Sequence, residues 1–361
     1  MSVLFALGSN GSGQLGIGHK EDVSVPKQVL FHPEPPSSPI VKVAAGGNHT
    51  LLLTEDGQLY CSGNRDAGAC GLAPAAPVTE HEFQRILLSR DGSVSGPTVL
   101  VAAAWEASLV VQKDDRGKAT RLYSLGAGEK GELGQGQMLF RTPSATQFKD
   151  FPPPDTEIVD MAASMGHIIA VLSNGDAYGW GNGRKGQLGA PEEVIYTPRK
   201  IDGISFKVVR AVCGREFTCL LGERSTGELL VIGSEKWNVR SGAPESVPGW
   251  DDIGAGWGSI CILKDGMLQS WGRNDHGQLP SPNLPPLTKI AVGSEHVVAL
   301  STEGDVLSWG WGEHGNCGPQ PGNGDVKDRW SVIASAKFIP PDAKITGIGA
   351  GCATSWINIK M

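Results

Sequence analysis

Residues 178–190 read YGWGNGRKGQLGA, and this stretch decides the fold because the chain repeats it. Close copies are LYSLGAGEKGELGQG (122–136), QSWGRNDHGQLP (269–280), LSWGWGEHGNCGP (307–319) and LFALGSNGSGQLGIG (4–18). Each copy is a short apolar run that leads into a Gly-rich turn. An internal repeat has to be interpreted before any single motif, because it determines the architecture.

The repeat occurs seven times when the weaker copies at 59–72 and 229–242 are included. Its equivalent glycines, about 50 residues apart on average, are Gly8, Gly63, Gly126, Gly181, Gly233, Gly272 and Gly310. Each of the last six copies follows a second kind of apolar half-unit, such as MAASMGHIIAVLSNG (161–175). The chain begins with a half-unit of the first kind at 3–18 and ends with one of the second kind at 343–360.

The half-units have the composition of β-hairpins. Asp56-Gly57, Asn174-Gly175 and Asp265-Gly266 lie between apolar runs, and such dipeptides are strong hairpin signals. Four strands in about 50 residues correspond to one propeller blade. We therefore predict an all-β fold: a single seven-bladed β-propeller over 1–361, whose last blade is closed by N-terminal and C-terminal strands together. A linear solenoid is less favoured because it needs capping units.

Composition and charge limit the classes of function. Glycine accounts for 50 of 361 residues, which argues against a mostly helical protein. A net charge of −7 gives no basic surface for nucleic acid. No apolar stretch has the length of a membrane helix, and MSVLFALGSNG lacks the charged region of a signal peptide. We expect an intracellular protein that is cytoplasmic, with an additional nuclear pool left open, and that binds neither nucleic acid nor membranes directly.

The seven cysteines are odd in number and contain no C-x-x-C pair, so they indicate neither a disulfide framework nor a zinc site. Cys61, Cys219 and Cys261 lie in apolar runs and are interpreted as small buried side chains. Cys70 and Cys317 stand where other copies of the repeat have leucine, and we interpret them as core replacements.

Several chemical motifs are explained by the repeat itself. Gly126–Gly131 matches G-x-G-x-x-G, but no helical pattern follows it, so we interpret it as a turn rather than a dinucleotide site. Two further sets each share one repeat position: His49, His167 and His296, and Trp180, Trp271 and Trp309. We expect the imidazoles to satisfy backbone groups around a ring instead of converging on a metal ion. The indoles are expected to pack between blades. We predict no catalytic residues, no metal ligands and no cofactor.

The repeat unit resembles that of the regulator-of-chromosome-condensation propellers. Asn182–Gly189 and Asn274–Leu279 carry the resemblance most clearly, and it covers nearly the whole chain. The N-terminal run is similar to a fungal branch of that family, the alpha-tubulin suppressors or killer-toxin-insensitivity proteins. That resemblance implies a heterodimer with a small zinc- or iron-binding protein of the CSL type. It also implies a role in diphthamide synthesis on elongation factor 2 and in Elongator-dependent wobble-uridine modification of tRNA.

The candidate partner-binding site comes from a repeat position whose residue type varies from copy to copy. The position after each strand-turn glycine holds Gly47, Trp105, Met165, Arg215, Trp257, Ser294 and Cys352. Equivalent turns of a propeller lie on one face around the channel, and Trp, Arg and Met are suited to partner contact. We expect a partner-binding surface of Trp105, Met165, Arg215 and Trp257 with an acidic rim of Glu106, Glu216 and Glu295. The alternative is that these side chains plug the channel as additional core.

Four stretches interrupt the repeat and are rich in proline or polar residues: 22–40, 73–97, 137–156 and 319–342. We interpret them as loops between or within blades. Loops on a rigid scaffold often carry function. The last stretch contains Arg329 and Trp330 and is the second candidate for partner contact.

Two functions remain open from the sequence. The first is a non-enzymatic scaffold for one protein partner, the CSL-type protein. The second is a guanine-nucleotide exchange factor for a small GTPase, the activity of other members of the family that the chain resembles. Exchange factors of that family carry acidic and polar residues on this face, and the Trp, Met and Arg side chains here depart from that pattern.

Overall fold

The computed structural model describes residues 2–71, 81–88, 96–320 and 324–361. These residues form seven sheets that follow one another around a channel, antiparallel except for the parallel pair β3 (Phe31–His32) and β7 (Phe83–Arg85). The all-β, seven-bladed propeller predicted from the repeat is therefore confirmed. Two short 3-10 helices, Lys236–Asn238 and Ala336–Phe338, are the only helical turns in the described ranges.

The strands are given in chain order. The N-terminal part forms β1 (Ser2–Gly8), β2 (Val23–Gln28), β3 (Phe31–His32), β4 (Ile40–Ala45), β5 (His49–Thr54), β6 (Leu59–Gly63), β7 (Phe83–Arg85), β8 (Thr98–Ala103), β9 (Ala107–Lys113), β10 (Ala119–Ala127) and β11 (Arg141–Gln147). The central part forms β12 (Ile158–Ala163), β13 (His167–Leu172), β14 (Ala177–Asn182), β15 (Val194–Lys200), β16 (Arg210–Cys213), β17 (Phe217–Leu221) and β18 (Leu229–Gly233). The C-terminal part forms β19 (Asp252–Ala255), β20 (Ser259–Lys264), β21 (Met267–Gly272), β22 (Leu287–Val292), β23 (His296–Ser301), β24 (Asp305–Trp311), β25 (Asp325–Ser335), β26 (Lys344–Ala350) and β27 (Thr354–Lys360).

The two chain ends complete one blade. Its strand order is β2-β1-β27-β26, so the N-terminal strand β1 lies between β2 and the C-terminal strand β27. β1 pairs with β27 along its whole length, from Ser2 opposite Lys360 to Gly8 opposite Thr354. Closure by strands from both termini, predicted from the two terminal half-units, is confirmed. It leaves the closing blade with no unpaired strand edge between the chain ends.

The hydrophobic core lies between the blades. The second strand of a blade, such as β5, β13 or β23, is buried at every residue because neighbouring blades cover both of its faces. The first strand of each blade lines the channel, and its turn into the second strand lies on one face of the disc. This arrangement places equivalent residues of the repeat at equivalent points around one axis.

The repeated glycine is required by the backbone. All seven equivalent glycines adopt φ between 102° and 115°, a region that side-chain-bearing residues avoid. At Gly181 an added Cβ would lie 2.4 Å from the Gly166 carbonyl oxygen of the adjacent turn. Glycine therefore marks the end of the third strand in every blade, which explains its regular occurrence in the sequence.

The interruptions of the repeat are not simple loops. Stretch 22–40 contains β2 and β3, 137–156 contains β11, and 319–342 contains β25. Of 73–97, residues 83–85 form β7, and much of the rest lies outside the described residues. These are outer strands of their blades. Because one face is solvated, their sequences lack the continuous apolar run that identifies an inner strand.

Two blades are smaller than four strands within the described residues. The sheets β16-β17-β18 and β19-β20-β21 have three strands each. The sequence already contains the reason, because Gly233, Gly272 and Gly310 are only 39 and 38 residues apart. These intervals are too short to add an outer strand and its connections to the three inner strands.

Cys61 and Cys70 form a disulfide, so the prediction that they are separate core side chains was wrong. In other blades the residue at the Cys70 position packs back onto the third strand. Leu188 does so against Gly179, at the position of Cys61. The same return of the chain places the two cysteine Cα atoms 5.4 Å apart. Cys219, Cys261 and Cys317 are buried and free, as expected.

Candidate partner-binding site

The turns between first and second strands form a ring at one end of the channel. Backbone hydrogen bonds link them from blade to blade: Gly47 N–H to Trp105 O (2.9 Å), Trp105 N–H to Met165 O (3.3 Å), Arg215 N–H to Trp257 O (3.1 Å), Trp257 N–H to Ser294 O (2.7 Å) and Ser294 N–H to Gly351 O (3.1 Å). Such bonds satisfy polar backbone groups that the tight turns would otherwise leave unpaired. The ring is therefore a rigid platform for the side chains it carries.

Trp105 and Trp257 meet across this end of the channel. They come from non-adjacent blades, yet their ring centroids are 6.2 Å apart with planes inclined at 44°. Both side chains are half-buried. The pair closes this end of the channel, as the core alternative expects. Part of each indole stays accessible, as a partner-binding surface requires.

Arg215 and Met165 flank the tryptophan pair. The Arg215 guanidinium carbon lies 5.4 Å from the Trp257 ring centroid, a cation–π distance, and Arg215 is exposed. Met165 is half-buried, and its carbonyl accepts the Trp105 N–H. The structure therefore brings Trp105, Met165, Arg215 and Trp257 together around one channel end. We call these four residues the channel cap.

The expected acidic rim is only partly present. Glu106 is exposed and Glu216 is half-buried. Glu295 is 4% exposed, pairs with Arg273 and accepts a 2.8 Å hydrogen bond from the Gln278 side chain. Burial raises the pKa of Glu295. The assignment of Glu295 to an exposed rim was wrong, because Arg273 and Gln278 of the preceding blade hold this carboxylate inside.

Arg329 and Trp330 lie elsewhere, on the outer strand β25. Arg329 is exposed and donates to the Gln320 side-chain oxygen at 3.0 Å. Trp330 is half-buried and packs against the apolar core of its own blade. The structure does not bring these two residues to the channel cap, and they form a separate candidate surface on the rim of the disc.

The repeated histidines join neighbouring blades through hydroxyl groups. The Nε2 contacts are His49 to Ser108 (2.9 Å), His167 to Thr218 (3.0 Å) and His296 to Ser355 (2.9 Å). Each hydroxyl donates its proton to a backbone carbonyl at 2.8 Å, so it accepts from an imidazole protonated at Nε2. Burial lowers the pKa of all three histidines to about 4.

The hydroxyl of the next blade was not predicted for these imidazoles, whereas the expected backbone hydrogen bond is present for His167 at Phe217 and for His296 at Thr354. The signal was present in the sequence. Ser108, Thr218 and Ser355 share one repeat position, each in the blade that follows a histidine. In two blades that follow a blade without the histidine, the same repeat position holds isoleucine, at Ile168 and Ile260.

The repeated tryptophans also connect blades, as expected. Trp180, Trp271 and Trp309 are buried, and each indole N–H donates to a carbonyl of the preceding blade. The acceptors are Glu132 O (3.1 Å), Val239 O (2.8 Å) and Gln278 O (3.1 Å). A buried indole needs such an acceptor, which fixes the angle between adjacent blades.

Within the described ranges, no group of three or more His, Cys, Asp or Glu side chains converges as a metal site would require. In the same part of the chain, no helix has the length and apolar character needed to cross a membrane. The distinctive features of the molecule are its closed ring and its capped channel. They define a seven-bladed β-propeller that presents side chains from equivalent turns on one face.

The sequence of this propeller matches the RCC1-like domain family over residues 3–357, and the chain belongs to that family of protein-interaction scaffolds. It is 35% identical to an RCC1 repeat-containing protein of Schizosaccharomyces pombe, over 99% of each chain. It is 27% identical to the mouse secretion-regulating guanine nucleotide exchange factor, over 98% of this chain and 83% of that protein. The crystal structure of Prp20p from Saccharomyces cerevisiae superposes with a TM-score of 0.81 at 23% identity, covering 99% of this chain and 91% of that one, which supports the fold.

Proposed function

We propose that this protein is a non-enzymatic scaffold that binds one protein partner through the channel cap. The partner we propose is a small CSL-type zinc- or iron-binding protein, in a heterodimer. The scaffold supports diphthamide synthesis and Elongator-dependent wobble-uridine modification, in the cytoplasm or the nucleus. It acts by orienting or shielding the partner's metal site while electrons are delivered.

The observation that carries the proposal is the Trp105–Trp257 pair. Its centroids are 6.2 Å apart, it is held on a hydrogen-bonded ring of turns, and part of each indole is accessible. Rigid aromatic side chains with a neighbouring arginine are typical of interface hot spots, because they bury area at little cost in conformational entropy. Glu106 and Glu216 supply negative charge beside them, so the matching partner surface is apolar at its centre and basic at its edge.

The identity of the partner comes from the resemblance of the N-terminal repeat to the fungal alpha-tubulin-suppressor branch. The chain also spans 99% of its fission-yeast relative, which it matches without a long unmatched segment on either side. The three buried histidines of the repeat contact hydroxyl groups between blades, which supports a structural role for these imidazoles.

Isothermal titration of the propeller with purified CSL-type protein tests the proposal. Wild-type protein should bind at micromolar concentration or tighter. Trp105→Ala and Trp257→Ala should each weaken binding by about 30-fold, the effect of losing a hot-spot side chain of about 2 kcal/mol. Phe338→Ala is the matched control, because this aromatic side chain is 89% exposed and lies outside the cap.

The possible results separate the partner from the surface. Absence of wild-type binding would reject the CSL-type partner. Unchanged affinity in both tryptophan variants, with folding shown by circular dichroism, would reject the channel cap. Loss of affinity only in Trp330→Ala would move the interface to the outer strand β25.

The alternative function is guanine-nucleotide exchange on a small GTPase. Its support is the similarity to the mouse exchange factor across 98% of this chain. Release of a fluorescent guanine nucleotide from a panel of small GTPases tests it. Acceleration that is lost in Arg215→Ala would favour exchange over scaffolding, whereas no acceleration across the panel would remove this alternative.

A further inference from the structure

The opposite end of the channel carries a ring of charged side chains. The residue five positions before each cap-ring residue is Lys42, Leu100, Asp160, Arg210, Asp252, Lys289 or Gly347. Five of these seven are charged, and all five line the channel cavity. We call Lys42, Asp160, Arg210, Asp252 and Lys289 the charged girdle.

The backbone aims this position into the channel. The pairing of first and second strands is shifted immediately before Lys42, Asp160 and Lys289, and likewise before the uncharged Leu100 and Gly347. A β-bulge of this kind bends the strand and redirects the side chain that follows it. The same irregularity in five blades makes the girdle a feature of the fold rather than of one loop.

Most of the girdle charges are paired. Arg210 contacts Asp160 at 3.0 Å and Asp252 at 3.9 Å, and Asp160 also accepts the Ala211 N–H at 2.9 Å. Lys289 Nζ donates to the Thr346 carbonyl at 2.7 Å. One guanidinium therefore bridges two carboxylates and offsets half of their charge, while neither lysine forms a direct ion pair with them.

Lys42 is the unpaired member of the girdle. Among the described residues its side chain has no hydrogen-bond or ion-pair partner, and Lys42 is solvent-exposed at the mouth of the cavity. The surrounding protein, through desolvation, and the charge of Arg210 lower the pKa of Lys42. With three cations against two anions, the girdle has the opposite sign to the whole chain, whose net charge is −7. An anion is the ligand that would complement it.

Below the girdle the side chains that line the channel are mostly small and apolar, they stand among backbone groups of the first strands, and the channel ends at the cap. One repeat position there is alanine in five blades: Ala45, Ala103, Ala163, Ala255 and Ala350. The cavity has a volume of about 1290 Å³ and reaches from the girdle to Trp105 and Trp257. Five residues of strand correspond to about 16 Å, so the space is a deep apolar cup beneath a positively charged ring.

We infer that the channel binds a small organic anion, with a carboxylate or phosphate group at Lys42 and an apolar body in the cup toward Trp105 and Trp257. A pocket with apolar walls and few charged groups at one end has the general character of a small-molecule site. The inference does not depend on the proposed partner, because it rests on the lining of the channel interior and on Lys42 at the end opposite the cap.

Isothermal titration with four probes tests the site: octanoate, octyl phosphate, octylammonium and octanol. Octanoate or octyl phosphate should bind with one-to-one stoichiometry, and the tighter of the two identifies the head group. Octanol and octylammonium should bind at least ten-fold more weakly. Lys42→Gln should weaken anion binding about ten-fold, the effect of one charge-assisted contact. Lys20→Gln, which removes an exposed lysine outside the cavity, should leave it unchanged.

A charge-reversing variant keeps the test independent of stability. Lys42→Glu should reverse the preference, so that octylammonium binds more tightly than octanoate. Circular dichroism confirms folding of each variant. Three results would overturn the inference: no saturable anion binding to wild-type protein, equal binding of octanol and octanoate, or equal weakening by Lys42→Gln and Lys20→Gln.

Discussion

Replacement of His167 by glutamine should flatten the dependence of stability on pH. The His167 side chain is fully buried, its Nε2 donates to Thr218, and burial lowers its pKa to about 4. In the unfolded chain the pKa returns to about 6.5. The unfolded state therefore binds more protons between these two values, and the stability present above pH 6.5 is lost as the pH falls toward 4.

The magnitude follows from the difference in pKa. At pH 5 the unfolded histidine lies about 1.5 pH units below its pKa, which corresponds to about 2 kcal/mol of stability lost per histidine relative to pH 7. His49 and His296 are buried in the same manner and should contribute similarly. The steep acid side of the stability profile should thus come from the three contacts that join neighbouring blades.

Urea unfolding at pH 7 and pH 5, followed by circular dichroism, measures the effect. The loss of stability between the two pH values should be about 2 kcal/mol smaller in His167→Gln than in the wild type. Thr218→Val is the matched control, since it removes the hydroxyl but keeps the imidazole. It should lower stability at both pH values and retain the wild-type difference. If the loss of stability between pH 7 and pH 5 is the same in His167→Gln as in the wild type, the claim that His167 is buried in its neutral form is refuted.

Three further predictions concern the fold. Trp309→Phe removes the indole N–H that donates to the Gln278 carbonyl and should lower the free energy of unfolding by about 2 kcal/mol in urea titration; a change below 0.5 kcal/mol, taken as roughly the surface-substitution limit, would contradict this role. Ala6→Pro places a residue without an N–H in β1 and should cost about 3 kcal/mol or more in the same measurement, whereas a neutral effect would contradict closure by the termini. Alkylation of the denatured, unreduced protein should label five of the seven cysteines by mass spectrometry, and seven labels would show that Cys61 and Cys70 are not bonded.

The sequence predicted the architecture well because the repeat is enforced by backbone geometry. Gly181 and its equivalents require positive φ at one point in every blade, so the blade count can be read from their spacing. The two terminal half-units predicted the closing blade for the same reason. Where strands lose their apolar pattern, as in β25, the sequence resembled a loop and the prediction failed.

Side-chain contacts between blades were harder to predict, because they join residues far apart in the chain. Glu295 was expected on an exposed rim, but Gln278 and Arg273 of the preceding blade reach it and bury it. The meeting of Trp105 and Trp257 depends on the diameter of the channel, which the repeat alone does not give. Three residues of the charged girdle, Lys42, Asp160 and Lys289, follow bulges in the first strands, and such bulges have no simple sequence signal.

Hydrogen–deuterium exchange of the propeller with and without the CSL-type protein would locate the interface directly. We predict slower exchange on complex formation at the turns 103–108 and 255–259, which carry Trp105 and Trp257. Exchange in β25 and at the hairpin turns of the opposite face should stay the same. Protection confined to β25 or to that opposite face would contradict partner binding at the channel cap.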